Sequence, residues 1–319
     1  MRAPEDRPLG RYSQSTWIIA MPGFTLLWIP ATVAASIFQV GRNALQRGVM
    51  TSAGPWGATL VRFLFGLPFS IVLAGIAVLA VPNADPSFGS AFWLSAGAGA
   101  ASQILATTAL LVAMDRSGFA VGTALQQSSL PLAALVGLIV YHDRLSATAW
   151  VGVVITTSGL VILTWPSKGS PTPRAASGAL FGLLSGLLFG FSLNAFRHAA
   201  LSMDPAHPIF AAIVSVLIVQ AMQAGALTLI LTVRDPAALR VVLRNWRQSL
   251  GAGACGTCAS AGWFIALALS PAAPVRALGV IEAPFAAIAG HRLFQETLQL
   301  KQVIAGIAVI SGIVLTSIW

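Results

Sequence analysis

Apolar residues run through this sequence in blocks of about twenty, set apart by short clusters of Pro, Gly, Asp and Arg. Twenty residues is the length that a helix, rising 1.5 Å per residue, needs to cross the hydrocarbon core of a bilayer. Ten such blocks can be counted, at 23–45, 57–81, 91–114, 119–141, 147–165, 176–201, 208–233, 249–269, 273–293 and 300–319. The pattern therefore predicts an all-α polytopic membrane protein with ten transmembrane helices. It divides into a polar tail (1–16), a first five-helix unit (17–167), a Ser/Pro/Gly connector (168–175) and a second five-helix unit (176–319). The apolar stretch after the tail is too long for a signal-peptide core and is expected to stay as the first span.

Composition agrees with this. Of 319 residues 56% are hydrophobic and only 8% are charged, and the mean hydropathy is +0.82, where soluble chains carry about a quarter charged residues. The net charge of +9 is spread singly between apolar runs rather than gathered in a patch, which excludes nucleic acid as a partner. Cys255 and Cys258 lack the further ligands of a zinc site, so no metal and no cofactor are called for. Trp17, Trp56, Trp93, Trp150, Trp165, Trp246 and Trp319 fall near span ends, as interfacial anchors do. Gly178, Gly182, Gly186 and Gly190 recur every four residues and free one helix face for close packing. Between the seventh and eighth spans, 234–247 interleaves Leu239, Val242, Leu243 and Trp246 with Arg240, Arg244 and Arg247. That spacing suits a short interfacial helix, and a solvated basic loop is the alternative.

The two halves repeat. Pro131 and Pro284 stand 153 residues apart, and so do Asp143 and Glu296, Leu145 and Leu298, Ser158 and Ser311, and Gly159 and Gly312. Earlier in each half Phe38/Phe189, Asn43/Asn194 and Ala44/Ala195 match at 151. A duplicated unit of five spans must insert the second time upside down, giving an inverted repeat, the architecture of many secondary transporters. Channels are built this way too.

These residues carry a resemblance. The run from Pro131 through Asp143, Leu145, Gly152 and Gly159, and its echo from Pro284 through Glu296, Leu298 and Gly312, resembles the signature "P…GE-x-L…G…G" that closes each EamA repeat of the drug/metabolite transporter superfamily. His142-Asp143 and Gln295-Glu296 stand where the family usually has Gly-Glu. The resemblance implies a central cavity between the halves, export of small metabolites or amino acids, and both termini in the cytoplasm of a bacterium whose inner membrane holds the protein. Positive charge is distributed the other way, favouring an external N-terminus. Asp143 and Glu296, at span ends, are read as caps or loop-ordering residues.

Lipid supplies no hydrogen-bond partner, so the polar residues inside spans must meet each other, water or substrate. Gln39, Asn43, Gln103, Gln126, Ser129, Asn194, Trp263 and Glu282 are the substrate-binding candidates. Glu282, an acid deep in an apolar span, is also the candidate for proton coupling, with pairing to the amino group of a substrate or to a structural arginine such as Arg62 as the alternatives. Pro131 and Pro284 are expected to kink their helices, and repeat arithmetic makes Ser129 the mate of Glu282. Asn43 and Asn194, repeat mates, are candidates for hydrogen bonds across the half-to-half interface. Arg62 is expected to snorkel to the interface as a structural residue, and Arg42, Arg197 and Arg276 to lie near span ends, where a carboxylate could be met. No Gly-x-Ser-Gly or Gly-x-Gly-Asp string is present for intramembrane proteolysis, which argues against an enzyme. The expectation is a monomeric secondary transporter working in lipid on a small molecule, with protons as the coupling ion. A passive channel or lipid scramblase of the same fold is the alternative.

Overall fold

The structure is a computed structural model that describes residues 26–129, 147–164, 173–270, 275, 278–296 and 300–317. Pro131, Asp143 and Arg276 lie outside the described residues. Within them the chain forms helices and no strand. They are α1 (Trp28–Leu64), α2 (Leu67–Ala80), α3 (Ser90–Ser117), α4 (Phe119–Gln126), α5 (Ala147–Thr164), α6 (Pro173–Met203), α7 (Pro208–Arg234), α8 (Pro236–Arg244), α9 (Trp246–Leu269), α10 (Glu282–Phe294) and α11 (Leu300–Ser317). Among the described residues five helical stretches are long and apolar enough to cross a membrane: Trp28–Ala80, Ser90–Ser117, Ala176–Met203, Pro208–Arg234 and Trp246–Leu269. The first holds two expected spans, and the shorter apolar helices α4, α5, α10 and α11 accommodate the rest, so ten fit. Large apolar side chains such as Ile71, Val72, Leu79, Leu180 and Leu229 point outward, as on a lipid-facing surface.

The first span is longer than its apolar pattern. The pattern stops at residue 45, where Arg42, Asn43, Gln46 and Arg47 look like an interface. The helix instead continues to Gly54, whose φ of 67° with Pro55 behind it turns the chain. It can continue because Arg42, Asn43 and Gln46 point into the protein, each at most 1% exposed. Gln46 donates to the Ala58 carbonyl across the elbow at 2.8 Å. A second break, at Phe65–Gly66, frees further carbonyls. Gln220 of α7 donates to the carbonyls of Arg62 and Phe63, and Thr257 of α9 to that of Gly66 at 3.0 Å. Intramembrane glutamines here repair a helix break.

Helix pairing follows the repeat. α1 packs along α9 and α3 along α6, α1 meets α10 and α4 meets α6, and α5 packs on α11. At the last of these pairs the motif glycines find their reason. A methyl on Gly312 would lie 2.5 Å from the Thr156 amide nitrogen, and one on Gly159 would lie 2.9 Å from that of Val309. Thr156 and Val309 are themselves 153 apart, so each glycine rests on the mate of the other's contact. Gly178, Gly182 and Gly186 likewise admit the end of α3 and the C-terminal end of α4 with the turn that follows it.

The tightest approach to backbone is elsewhere. A methyl on Gly253 would run into the carbonyl group of Phe65 and come 2.6 Å from the Gly66 nitrogen. Backbone cannot move aside there without separating α9 from the α1–α2 junction. Gly253→Val is expected to destabilise the protein by about 3 kcal/mol or more, the upper range for overpacking, seen as a lower melting temperature and loss of the monodisperse peak in size exclusion.

The connector between α7 and α9 is helical. Asp235 caps α8 by accepting from the Ala238 amide at 3.0 Å. Val242 and Ala238 are buried against Gly57 of α1, while Arg240, Arg244 and Arg247 are exposed. An amphipathic helix, rather than a solvated loop, covers this end of the bundle.

Candidate functional site

Glu282 is the first residue of α10, immediately after a turn at Val280–Ile281. The helix N-terminus places a positive dipole end beside its carboxylate. The interruption lies ahead of Pro284, which sits in the first turn of α10, where a missing N–H breaks no helical bond. In the first half α4 ends in a turn at Gln127–Ser128, 153 residues before the other. Both halves thus interrupt the corresponding helix at the corresponding place.

The carboxylate is 1% exposed. Its Oε2 accepts from Gln39 Nε2 of α1 at 2.8 Å and from Gln127 Nε2 at 3.1 Å. Gln39 in turn accepts from the Trp263 indole N–H of α9 at 2.8 Å, and the indole lies flat enough on Gly279 that a methyl there would be 2.5 Å from Cη2. A chain of donors and acceptors therefore runs from Trp263 through Gln39 to Glu282, joining α9, α1 and α10. All three members are sequence-predicted site residues.

Beside this chain is a small cavity lined by Gln39, Arg62, Gln103, Gln126, Ser260 and Trp263, with Phe189, Leu193 and Phe264 as its apolar wall. Gln39, Gln103, Gln126 and Trp263 stand where the polar pattern expects them. Gln103 is fixed by a 2.8 Å bond from Gln223. Gln126 Oε1 and Asn43 Nδ2 are buried without a protein partner among the described residues.

Arg62 corrects an expectation. It does not snorkel: it is 2% exposed, lines the cavity, and donates to Thr107 Oγ1 at 3.1 Å and Ser260 Oγ at 3.2 Å. Arg42 is corrected as well, for it lies well inside α1, is 1% exposed, and donates twice to Asn43 Oδ1, at 2.6 and 3.1 Å. The stems of both arginines pass Gly256. Among the described residues Arg197 meets no carboxylate. It donates to the carbonyls of Leu267 and Ser270 and so caps the C-terminus of α9.

Two other candidates are not brought to the cavity. Asn194 is exposed on α6 and bonds the carbonyl of Gly190 one turn back, so it reaches neither Asn43 nor the interface between halves. Ser129 is buried beside Gly186 of α6, and Gln127 rather than Ser129 meets Glu282. Thr107 and Ser260 are further site residues that the polar pattern does not single out.

Glu296 acts away from the cavity. Its carboxylate accepts from the amides of Phe119, at 2.7 Å, and Ala120, at 3.2 Å, capping the start of α4. It also pairs with Arg47 at 2.6 Å. The Arg47 guanidinium lies over Phe294 at 4.2 Å, and Phe294 stacks on Phe119 at 5.2 Å. The capping role expected for the motif acid is what the geometry contains.

Comparison with known proteins places this arrangement. The model of the EamA-like transporter family matches residues 176–318. A solved crystal structure shares the fold over almost the whole length, with a TM-score of 0.55 at 18% identity, covering 93% of this chain and 96% of that one. No curated protein matches the chain. The described helices, the apolar outer surface and the family match make it an integral membrane protein of the transporter class. Over residues 176–318, its second half, the chain is similar to the EamA-like transporter family.

Proposed function

We propose that the protein is a secondary active transporter that exports a small metabolite, such as an amino acid, across a bacterial inner membrane by alternating access of two inverted five-helix halves. The observation that carries this reading is Glu282. It is a fully buried acid at a helix break, held by Gln39 from the first span and Gln127 from the fourth, next to a cavity lined from both halves. Discontinuous helices meeting at such a cavity are what alternating-access carriers use to bind and release cargo. The reciprocal contacts of Gly159 and Gly312, and the exchange of helix partners between the halves, support the inverted repeat.

Glu282 is the acid through which protons would couple to transport. Among the described residues, Arg42 stands close enough to feel its charge, with Arg62 beyond. Protonation would remove the attraction that draws α10 toward α1, giving the two protonation states different preferred arrangements of the halves.

Counterflow in proteoliposomes tests the transporter reading. Vesicles preloaded with a metabolite mixture are expected to accumulate labelled cargo against its gradient by exchange. Simple equilibration without exchange would leave a channel, and loss of lipid asymmetry without solute movement would leave a scramblase.

A further inference from the structure

Among the described residues, the charge at the centre of the bundle does not balance. Arg42 and Arg62 are both almost fully buried, and neither takes part in an ion pair among the described residues. Their direct bonds go to the neutral groups of Asn43, Thr107 and Ser260. Opposite them stands one carboxylate, Glu282, and the N-terminal end of α10 adds further positive potential. The other described acids, Asp85, Asp115, Asp204, Asp235 and Glu296, all lie at helix ends or in loops. A buried guanidinium without a counter-charge is expensive in a membrane protein, and a structural role would bring its own carboxylate.

We propose that the missing counter-charge is carried by the cargo: the cavity takes a small organic anion, its oxyanion set on Arg62 and its apolar body against Trp263, Phe189, Leu193 and Phe264. This rests on reading the cavity as the transport site and names the class of molecule it accepts. Arg62 is the lining cation, and its planar fork presents donors that Thr107 and Ser260 orient without neutralising. Arg42 stands behind it, and Asn43 Nδ2 is a spare donor. The apolar wall suits the carbon body of an organic anion better than a small inorganic one. A cationic amine would add a third positive charge to a centre that already has one in excess.

The test uses the purified full-length protein and four probes with a common aromatic body: phenylacetate, phenylphosphonate, phenylacetamide and phenethylamine. Melting temperature is followed for the wild type, Arg62→Gln and Arg62→Lys. The two anions are expected to raise the wild-type value by about 3 °C or more at saturation, the amide and the amine by less than about 1 °C. Arg62→Gln is expected to lose the shift and, without ligand, to melt above the wild type, since a functional charge has been removed from a low-dielectric site. Arg62→Lys retains part of the shift. The inference is overturned if the amine or amide stabilises as much as the anions, if neither anion stabilises, or if Arg62→Gln melts below the wild type and still responds to anions. Counterflow fails separately: anion binding without exchange removes the transporter reading alone, and exchange of phenethylamine in preference to phenylacetate removes this inference alone.

Discussion

Glu282→Gln is expected to abolish the pH dependence of counterflow and to lower its rate by more than about tenfold, while the protein still inserts and elutes as a single species. The substitution is nearly isosteric. A glutamine carbonyl can still accept from Gln39 and Gln127, so the link to Trp263 survives. What disappears is the charge. Arg42 then loses the carboxylate whose field reaches it. Because the direct bonds of Arg42 go to Asn43, the electrostatic loss stays below about 4 kcal/mol, the value for a contact pair near a protein surface. Stability should therefore fall by a measurable amount without collapse, and added anion should restore part of it by occupying the same positive centre. A mutant with unchanged rate and unchanged pH profile would remove Glu282 from coupling and leave it as a structural counter-charge.

The polar groups of the cavity were legible in the sequence for one reason. A glutamine, tryptophan or acid in the middle of an apolar run has no solvent to turn to, so Gln39, Gln103, Gln126, Trp263 and Glu282 stood out against their neighbours, and the structure brings them to one place. Arg42 and Arg62 were misjudged through span boundaries. A cation some residues from the end of an apolar run looks able to reach the headgroups, yet the helix continued past the run because its polar residues turned inward. Thr107 and Ser260 gave no signal, since a hydroxyl can bond the carbonyl one turn back and is tolerated anywhere in a membrane helix. The interruptions at Gln127–Ser128 and Val280–Ile281 were marked only indirectly. Val280 and Ile281 are strongly apolar, and the nearby cue, Pro284, records where a helix begins rather than where one bends. Asn194 was drawn in by the repeat alone, and the repeat preserves backbone position without preserving what a side chain meets.

Glu296→Ala is expected to lower the melting temperature by several degrees, with Glu296→Gln falling between it and the wild type. The alanine removes the acceptor for two amides at the start of α4, each costing about 1–3 kcal/mol if it finds no other partner in a part-buried site. It also strands Arg47, whose guanidinium is left with the rings of Phe294 and Phe119. Glutamine keeps one acceptor oxygen and loses the ion pair, hence its intermediate place. Arg47→Ala should cost less by itself, because the cap to Phe119 and Ala120 survives. The double variant should then cost less than the two single ones together, since the first change already breaks the Arg47–Glu296 bond. Strict additivity would mean that the 2.6 Å pair contributes nothing and that capping alone holds the motif acid in place. The cap crosses from the end of α10 to the start of α4, and α4 leads into Gln126 and Gln127 at the cavity. A frayed first turn would loosen the helix that carries those two glutamines, so the capping variants should also weaken cargo binding without any change at the cavity itself.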